Sequence, residues 1–232
     1  MTVIGGFAET LLSLDLDDES RRTYLATILK HSQTMQRLVE DLLMLSSLEN
    51  SSTPPDESDV DVVAMLRALA ADGRALSQSR HAIELDVRSD ARLHAAPVEL
   101  ESAVRNLLTN AIRYTPEGGT ITLSWSVDAT GGWLSVRDTG IGIAAEHIPR
   151  LTERFYRVER GRSRDTGGTG LGLAIVKHII QRHQARLDIR SKPGEGSIFG
   201  IQFPIERVRP LDDTATAEQP PVTGPSTSAT AA

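Results

Sequence analysis

Apolar and polar positions change rhythm partway along the chain. From Ser20 to Glu49 there is no Gly or Pro, and Tyr24, Ile28, His31, Met35, Leu38, Leu42 and Leu45 recur at steps that alternate between four and three. That spacing predicts a helix whose seam packs on other helices in a coiled-coil-like bundle. Residues Thr2 to Leu12 predict a shorter helix that begins abruptly, without a capping residue, and the acidic turn Asp15 to Glu19 joins the two. Such a hairpin has too little core of its own, and dimerisation into a bundle of four helices completes it.

The stretch Asn50 to Asp59, NSSTPPDESD, is polar with two prolines and reads as a linker. Beyond it the pattern is mixed. Val60 to Ser77 predicts a short strand leading into a helix, His81 to Val87 alternates as a strand, and Pro97 to Tyr114 predicts a helix opening on proline. Thr120 to Val127 and Trp133 to Arg137 are strands about the turn Ala129 to Gly132, and Arg186 to Ser191 and Ser197 to Phe203 form a hairpin across Pro193 to Gly196. Helices mixed with mostly antiparallel strands predict an α+β sandwich, one helical layer on one sheet. The expected organisation is a helical hairpin over 1–49, a linker over 50–59, a sandwich domain over 60–206 and a disordered tail over 207–232, rich in Pro, Thr, Ser and Ala.

Composition narrows the function. The 232 residues are 39% hydrophobic and 24% charged, as in ordinary soluble proteins, and the net charge of −6 argues against a general nucleic-acid binder, which needs a basic face. Without cysteine there is no disulfide, thiol nucleophile or thiolate metal site. No apolar run has the length of a membrane span, and no basic start followed by an apolar core opens the chain, so the sequence as given predicts a soluble cytoplasmic protein. His31 on the seam reads as a partly buried bundle histidine with no orienting carboxylate beside it, and His178 and His183 are five apart, off a shared helix face.

Four stretches carry candidate chemistry. Gly167 to Lys177, GGTGLGLAIVK, runs a glycine-rich loop into an apolar helix, where turned backbone N–H groups and the helix N-terminus suit an anion, although such loops also make plain turns. On the helix Pro97 to Tyr114, Asn106, Asn110 and Arg113 share a face. An amide oxygen is a hard ligand for Mg²⁺ beside a triphosphate and arginine suits the phosphates, against the plainer reading of solvated polar residues. In Arg137 to Ile143, RDTGIGI, a strand ends on Asp138, whose carboxylate can accept from an exocyclic amine such as adenine N6 or simply cap a turn. Leu151 to Arg164 sets an aromatic pair before arginines 157, 160, 162 and 164, either a lid over phosphates or a solvated loop.

Taken in order, NLLTNAIRYTPEGG, DTGIGI, ERFYRVER, GGTGLGLAIVK and GEGSIFGIQFP resemble the conserved boxes of sensor histidine kinases, and among them the phosphate-responsive sensor kinases of Gram-negative bacteria. The resemblance covers residues 1–205. It implies a dimerising helical hairpin followed by the ATP-binding sandwich shared with gyrase, the Hsp90 chaperones and the MutL repair proteins, with ATP and Mg²⁺ as cofactors and a response-regulator receiver domain as partner. By resemblance Asn110 would hold Mg²⁺ with Asn106 beside it, and Asp138 would bind adenine with Gly140 and Gly142 allowing close approach. Arg113 and Arg157 would meet the phosphates, Tyr114 and Phe155 would frame pocket and lid, and Gly168, Thr169, Gly170, Leu171 and Gly172 would cradle the triphosphate. Hydrolysing relatives place a water-activating glutamate where Asn106 stands; an amide is no general base, so transfer to another acceptor is expected over hydrolysis.

One departure matters. The family's phosphoacceptor histidine lies in a box that would fall just before Met1, so no catalytic residue is assigned within the chain. Two accounts stand beside each other. Either the chain is part of a kinase that sits at the inner membrane with this region in the cytoplasm, or it is an ATP-binding accessory module that dimerises with an intact kinase and modulates it.

Overall fold

A computed structural model of the chain describes residues 3–50, 55–158 and 168–210. Helix α1 (Val3–Ser13) and the long helix α2 (Asp18–Asn50) form the hairpin, with Phe7 stacked on Tyr24 at 5.2 Å between ring centroids. The seam does not serve helix packing throughout its length. Near the end of α2, Leu45 and Leu48 are buried in the core of the following domain, while Leu25, Leu29, Met35, Val39, Leu42 and Leu43 are exposed.

The second domain is a sandwich. Its sheet has the order β2 (Ala82–Val87), β4 (Thr120–Asp128), β5 (Gly131–Asp138), β7 (Gly196–Pro204) and β6 (Arg186–Lys192). Helices α3 (Val62–Ser77), α4 (Pro97–Tyr114) and α5 (Gly172–Arg182) cover it. All pairings are antiparallel except β2 with β4, which run parallel because α4 crosses between them. Along β4 the inward positions Ile121, Leu123 and Trp125 are fully buried, the period of a strand with one face on a core. Along α4 the residues Leu100, Ala103, Val104, Leu107, Leu108, Ala111 and Ile112 are buried at helical spacing, which turns Asn106, Asn110 and Arg113 away from the sheet.

Two expected boundaries move. Asn50 completes α2, and the supposed linker ends in a strand: β1 (Ser58–Val60) pairs antiparallel with β3 (Arg92–Ala95), which the sequence pattern does not reveal. The order also continues past residue 206, because β8 (Val208–Arg209) pairs with the other edge of β3 and buries Val208. Arg207 fastens this small sheet through Glu57 at 2.8 Å and the His94 carbonyl at 3.0 Å. Ladder pairing and ion pairs with distant residues decide these ends, and neither leaves a mark in local composition. The disorder expected further along falls on residues 211–232, outside the described residues. Among the described residues no helix is long and apolar enough to cross a membrane.

Candidate functional site

The inward face of β5 runs Leu134, Val136, Asp138, so a carboxylate stands where the next core residue of the strand would be. Asp138 is only 5% exposed. It accepts from the Gly140 N–H at 2.8 Å, and burial pushes its carboxyl above the ordinary range while the N–H groups of Gly140 and Ser197 pull the other way. A desolvated carboxylate with lone pairs to spare is set to accept from a ligand N–H.

The loop after Asp138 is tied at three points. The Ile141 N–H donates to the Tyr114 carbonyl at the end of α4 at 3.1 Å, the Gly194 N–H donates to the Ile141 carbonyl at 2.8 Å, and the Ile143 N–H donates to Ser191 Oγ at 2.8 Å. Between these ties Gly142 has φ of +68°, and a Cβ there would lie 2.0 Å from the Lys192 carbonyl oxygen. Gly142→Ala therefore combines a left-handed backbone with a clash against backbone that has nowhere to go. It is expected to cost at least about 1–2 kcal/mol and to lift the loop from the site, read as a lower melting temperature and a weaker ligand titration in the same variant.

Asp138 opens on a cavity of about 1010 Å³. Asn106, Asn110, Arg113 and Tyr114 reach it from α4, Gly142 from the tied loop, Arg157 from the segment before α5, and Gly168, Thr169, Gly170 and Gly172 from the stretch that becomes α5. Arg37, Arg113 and Arg157 bring cationic side chains to its lining. Arg113 is partly buried, and desolvation together with the charges of Arg37 and Arg157 lowers its pKa, so this lining favours an anion. Arg157 donates to the Gly168 carbonyl at 2.8 Å. Asn106 donates to the Ser102 carbonyl at 3.0 Å, and a Cβ on Gly172 would stand 2.6 Å from its Oδ1, so the start of α5 lies directly against it. The amide of Asn110 faces the cavity lining and has no hydrogen-bond partner among the described residues.

Three expected residues do not line the cavity. Gly140 sits behind Asp138 as its hydrogen-bond donor, Leu171 is fully buried in the core, and the Phe155 side chain is 60% exposed while its backbone N–H donates to the Gly170 carbonyl at 2.9 Å. Arginines 160, 162 and 164, and Gly167, lie outside the described residues. Residues that sequence reasoning passed over come from the hairpin: Arg37, Glu40, Asp41 and Met44 of α2 also line the cavity. Their helical spacing looks like an ordinary solvated face, so no local signal separates them. Around them α2 is held by the Thr169 hydroxyl donating to Asp41 at 2.8 Å, Ser102 donating to Met44 Sδ at 3.2 Å, and Glu49 pairing with Arg154 and His178. Burial and the charge of Arg154 lower the His178 pKa.

The hairpin and the sandwich each fall within a known family. Residues 95–207 match the histidine kinase-, DNA gyrase B- and HSP90-like ATPase family, and residues 1–51 match the His kinase A phospho-acceptor domain family. The chain belongs to the sensor histidine kinases. It is 48% identical over 206 residues to the phosphate regulon sensor protein PhoR of Pseudomonas aeruginosa, covering 88% of this chain and 46% of that one. It is 36% identical over 198 residues to the sensor-like histidine kinase SenX3 of Mycobacterium tuberculosis, covering 85% and 48%. The chain thus spans about half the length of the curated relatives it matches. Among solved structures, the histidine kinase AdeS of Acinetobacter baumannii superposes with a TM-score of 0.68 at 25% identity over 88% of this chain and 93% of that one. Full-length ShkA in complex with AMPPNP gives 0.69 at 26% identity, covering 90% and 43%.

Proposed function

We propose that this chain is the ATP-binding catalytic region of a phosphate-responsive sensor histidine kinase, which transfers the γ-phosphoryl of MgATP to the histidine of the family's phosphoacceptor box and from there to an aspartate of a response regulator. The observation that carries the reading is that the buried carboxylate of Asp138 lines the same cavity as Arg113 and Arg157. Adenine carries an N–H donor and a triphosphate is an anion, so a nucleotide complements both kinds of group at once. Guanine offers a carbonyl where adenine offers its amine and would be repelled by Asp138. The AMPPNP complex of ShkA supports the same orientation of function.

Asn110 is suited to Mg²⁺ carried in with the nucleotide. Its amide oxygen is a hard ligand, and Mg²⁺ keeps several waters and takes the rest of its oxygens from phosphates, so no protein cage is required. Among the described residues no group of three or more His, Asp or Glu side chains could hold a metal by itself, and the cavity fits a metal that arrives with its substrate. When bound, Mg²⁺ supplies charge neutralisation at the β- and γ-phosphates. Asn110→Ala is expected to weaken MgATP by roughly tenfold while leaving metal-free ATP nearly unchanged, a loss of about one metal–ligand contact read by titration with and without Mg²⁺. Equal weakening in both titrations would exclude a metal role for Asn110.

Around the phosphates, Arg113 and Arg157 are placed to hold charge, and the backbone from Gly168 to Gly172 presents the N-terminus of α5. Asn106 has its amide tied to α4 and no basic atom to take a proton from water, so the site is built for transfer. The exposed apolar side chains of α1 and α2 suit a second copy, which would complete a four-helix bundle. The deciding experiment mixes the chain with a hairpin that includes the phosphoacceptor segment and follows labelled phosphate from ATP. Transfer to the histidine with slow release of free phosphate is the expected result. Fast hydrolysis by the unmodified chain, or equal binding of ATP and GTP, would overturn the reading.

A further inference from the structure

The sandwich domain does not close its cavity alone. Arg37, Glu40, Asp41 and Met44 of α2 form part of the wall. Asp41 accepts from the Thr169 hydroxyl at 2.8 Å, and Thr169 Oγ1 in turn accepts from the Leu171 N–H at 3.2 Å, where the loop turns into α5. A carboxylate of the hairpin is therefore hydrogen-bonded to the stretch that would cradle phosphates. Its surroundings are mixed: burial and the charge of Glu40 disfavour the ionised form, while Thr169 and the cations Arg37 and Arg113 support it. Arg37 also bears on Arg113 from the same helix. Asp41 shares the cavity lining with the cations Arg37, Arg113 and Arg157.

We infer that Asp41 is a specificity-determining residue of the nucleotide site, a negative charge brought by the hairpin that disfavours each added phosphate, so that the docked position of α2 and occupancy by a triphosphate oppose one another. The inference rests on the nucleotide reading above. Its physical content is that a fixed charge acts on the charge of the ligand and not on its base. In the nucleotide reading the base is held by Asp138, so the charges of Asp41 and Arg37 act on the phosphates. The same linkage runs in both directions: what triphosphate loses through Asp41, docking of α2 loses when triphosphate binds. Arg37 acts with the opposite sign and supports the charge that Asp41 opposes.

The test is competition of ATP, ADP and AMP against a fluorescent ATP analogue on the chain and two variants. Asp41→Asn keeps an oxygen to accept from Thr169 and removes only the charge. It is expected to tighten ATP by roughly three- to tenfold, ADP by less and AMP not at all, with the differences shrinking as salt rises. Arg37→Gln, at an exposed position that threatens no core, is expected to weaken ATP most, ADP less and AMP not at all. Exchange protection of the amides around Leu45 and Leu48 should fall when ATP is added to the unmodified chain and fall less in Asp41→Asn. Equal shifts for all three nucleotides, or none, overturn the role of Asp41. Failure of the unmodified chain to bind any of the three overturns the nucleotide reading itself.

Discussion

Asp138→Asn is expected to abolish tight nucleotide binding while the chain stays folded. The asparagine oxygen can still accept from the Gly140 N–H, which leaves the amide NH₂ facing the exocyclic amine of adenine, donor against donor. The loss combines a charge-assisted hydrogen bond with an unpaired buried donor, about 2–4 kcal/mol or roughly 30- to 700-fold in affinity, measured by calorimetric titration with ATP. Stability should move the other way. Because burial raises the Asp138 pKa in the fold, its carboxyl holds a proton more tightly folded than unfolded. That contribution is fully present below the unfolded carboxylate range and is withdrawn as pH rises through the raised value. At neutral pH the ligand-free asparagine variant is therefore expected to melt at or above the unmodified chain, with the gap closing as the solution is acidified. A variant that binds ATP normally would remove Asp138 from the site, and one that melts lower at neutral pH would show that its charge supports the fold.

Trp125→Ala carries the largest expected cost in stability. Trp125 is fully buried on the inward face of β4, donates from Nε1 to the Ala91 carbonyl at 3.1 Å, and fills the space above Gly132, where a Cβ would lie 2.4 Å from its ring. Removing it opens a cavity and strands a carbonyl, about 3–5 kcal/mol, which lowers the melting temperature of a domain of this size by on the order of 10 °C. Thermal melting followed by circular dichroism would check it, and a shift of only a degree or two would mean that the sheet does not depend on this packing.

Much of both results can be anticipated from local pattern. Alternation in Thr120 to Val127 and the spacing of apolar residues in Pro97 to Tyr114 already identify the faces that meet in the core, because burial on one side of a strand or helix imposes its own period. The polar positions Asn106, Asn110 and Arg113 stand out as a shared face on the same helix. The short strand before α3 was expected near Val60, but β3, β8 and the pairing of the three into a small sheet were not legible, since strands of two to four residues are too short for a period to show. Phe155 was expected to frame the pocket and Leu171 to join the phosphate cradle, and neither side chain lines the cavity: Leu171 is buried in the core and Phe155 is exposed. Motif adjacency cannot say which neighbours of a glycine turn inward.

The amino-acid sequence alone determined that a helical hairpin precedes an α+β sandwich and that Asn106, Asn110 and Arg113 share a helix face, because periodicity is local. That these residues would meet Asp138 and the glycine loop at one site was implied by the resemblance to sensor histidine kinases and not by any local pattern. Only the tertiary structure decided that α2 leans on the sandwich and lends Arg37 and Asp41 to the cavity, that Asp138 takes a core position on β5, and that β1 and β8 join across β3. Those outcomes depend on long-range packing and on where desolvation falls, and no window of sequence contains both partners of such a contact.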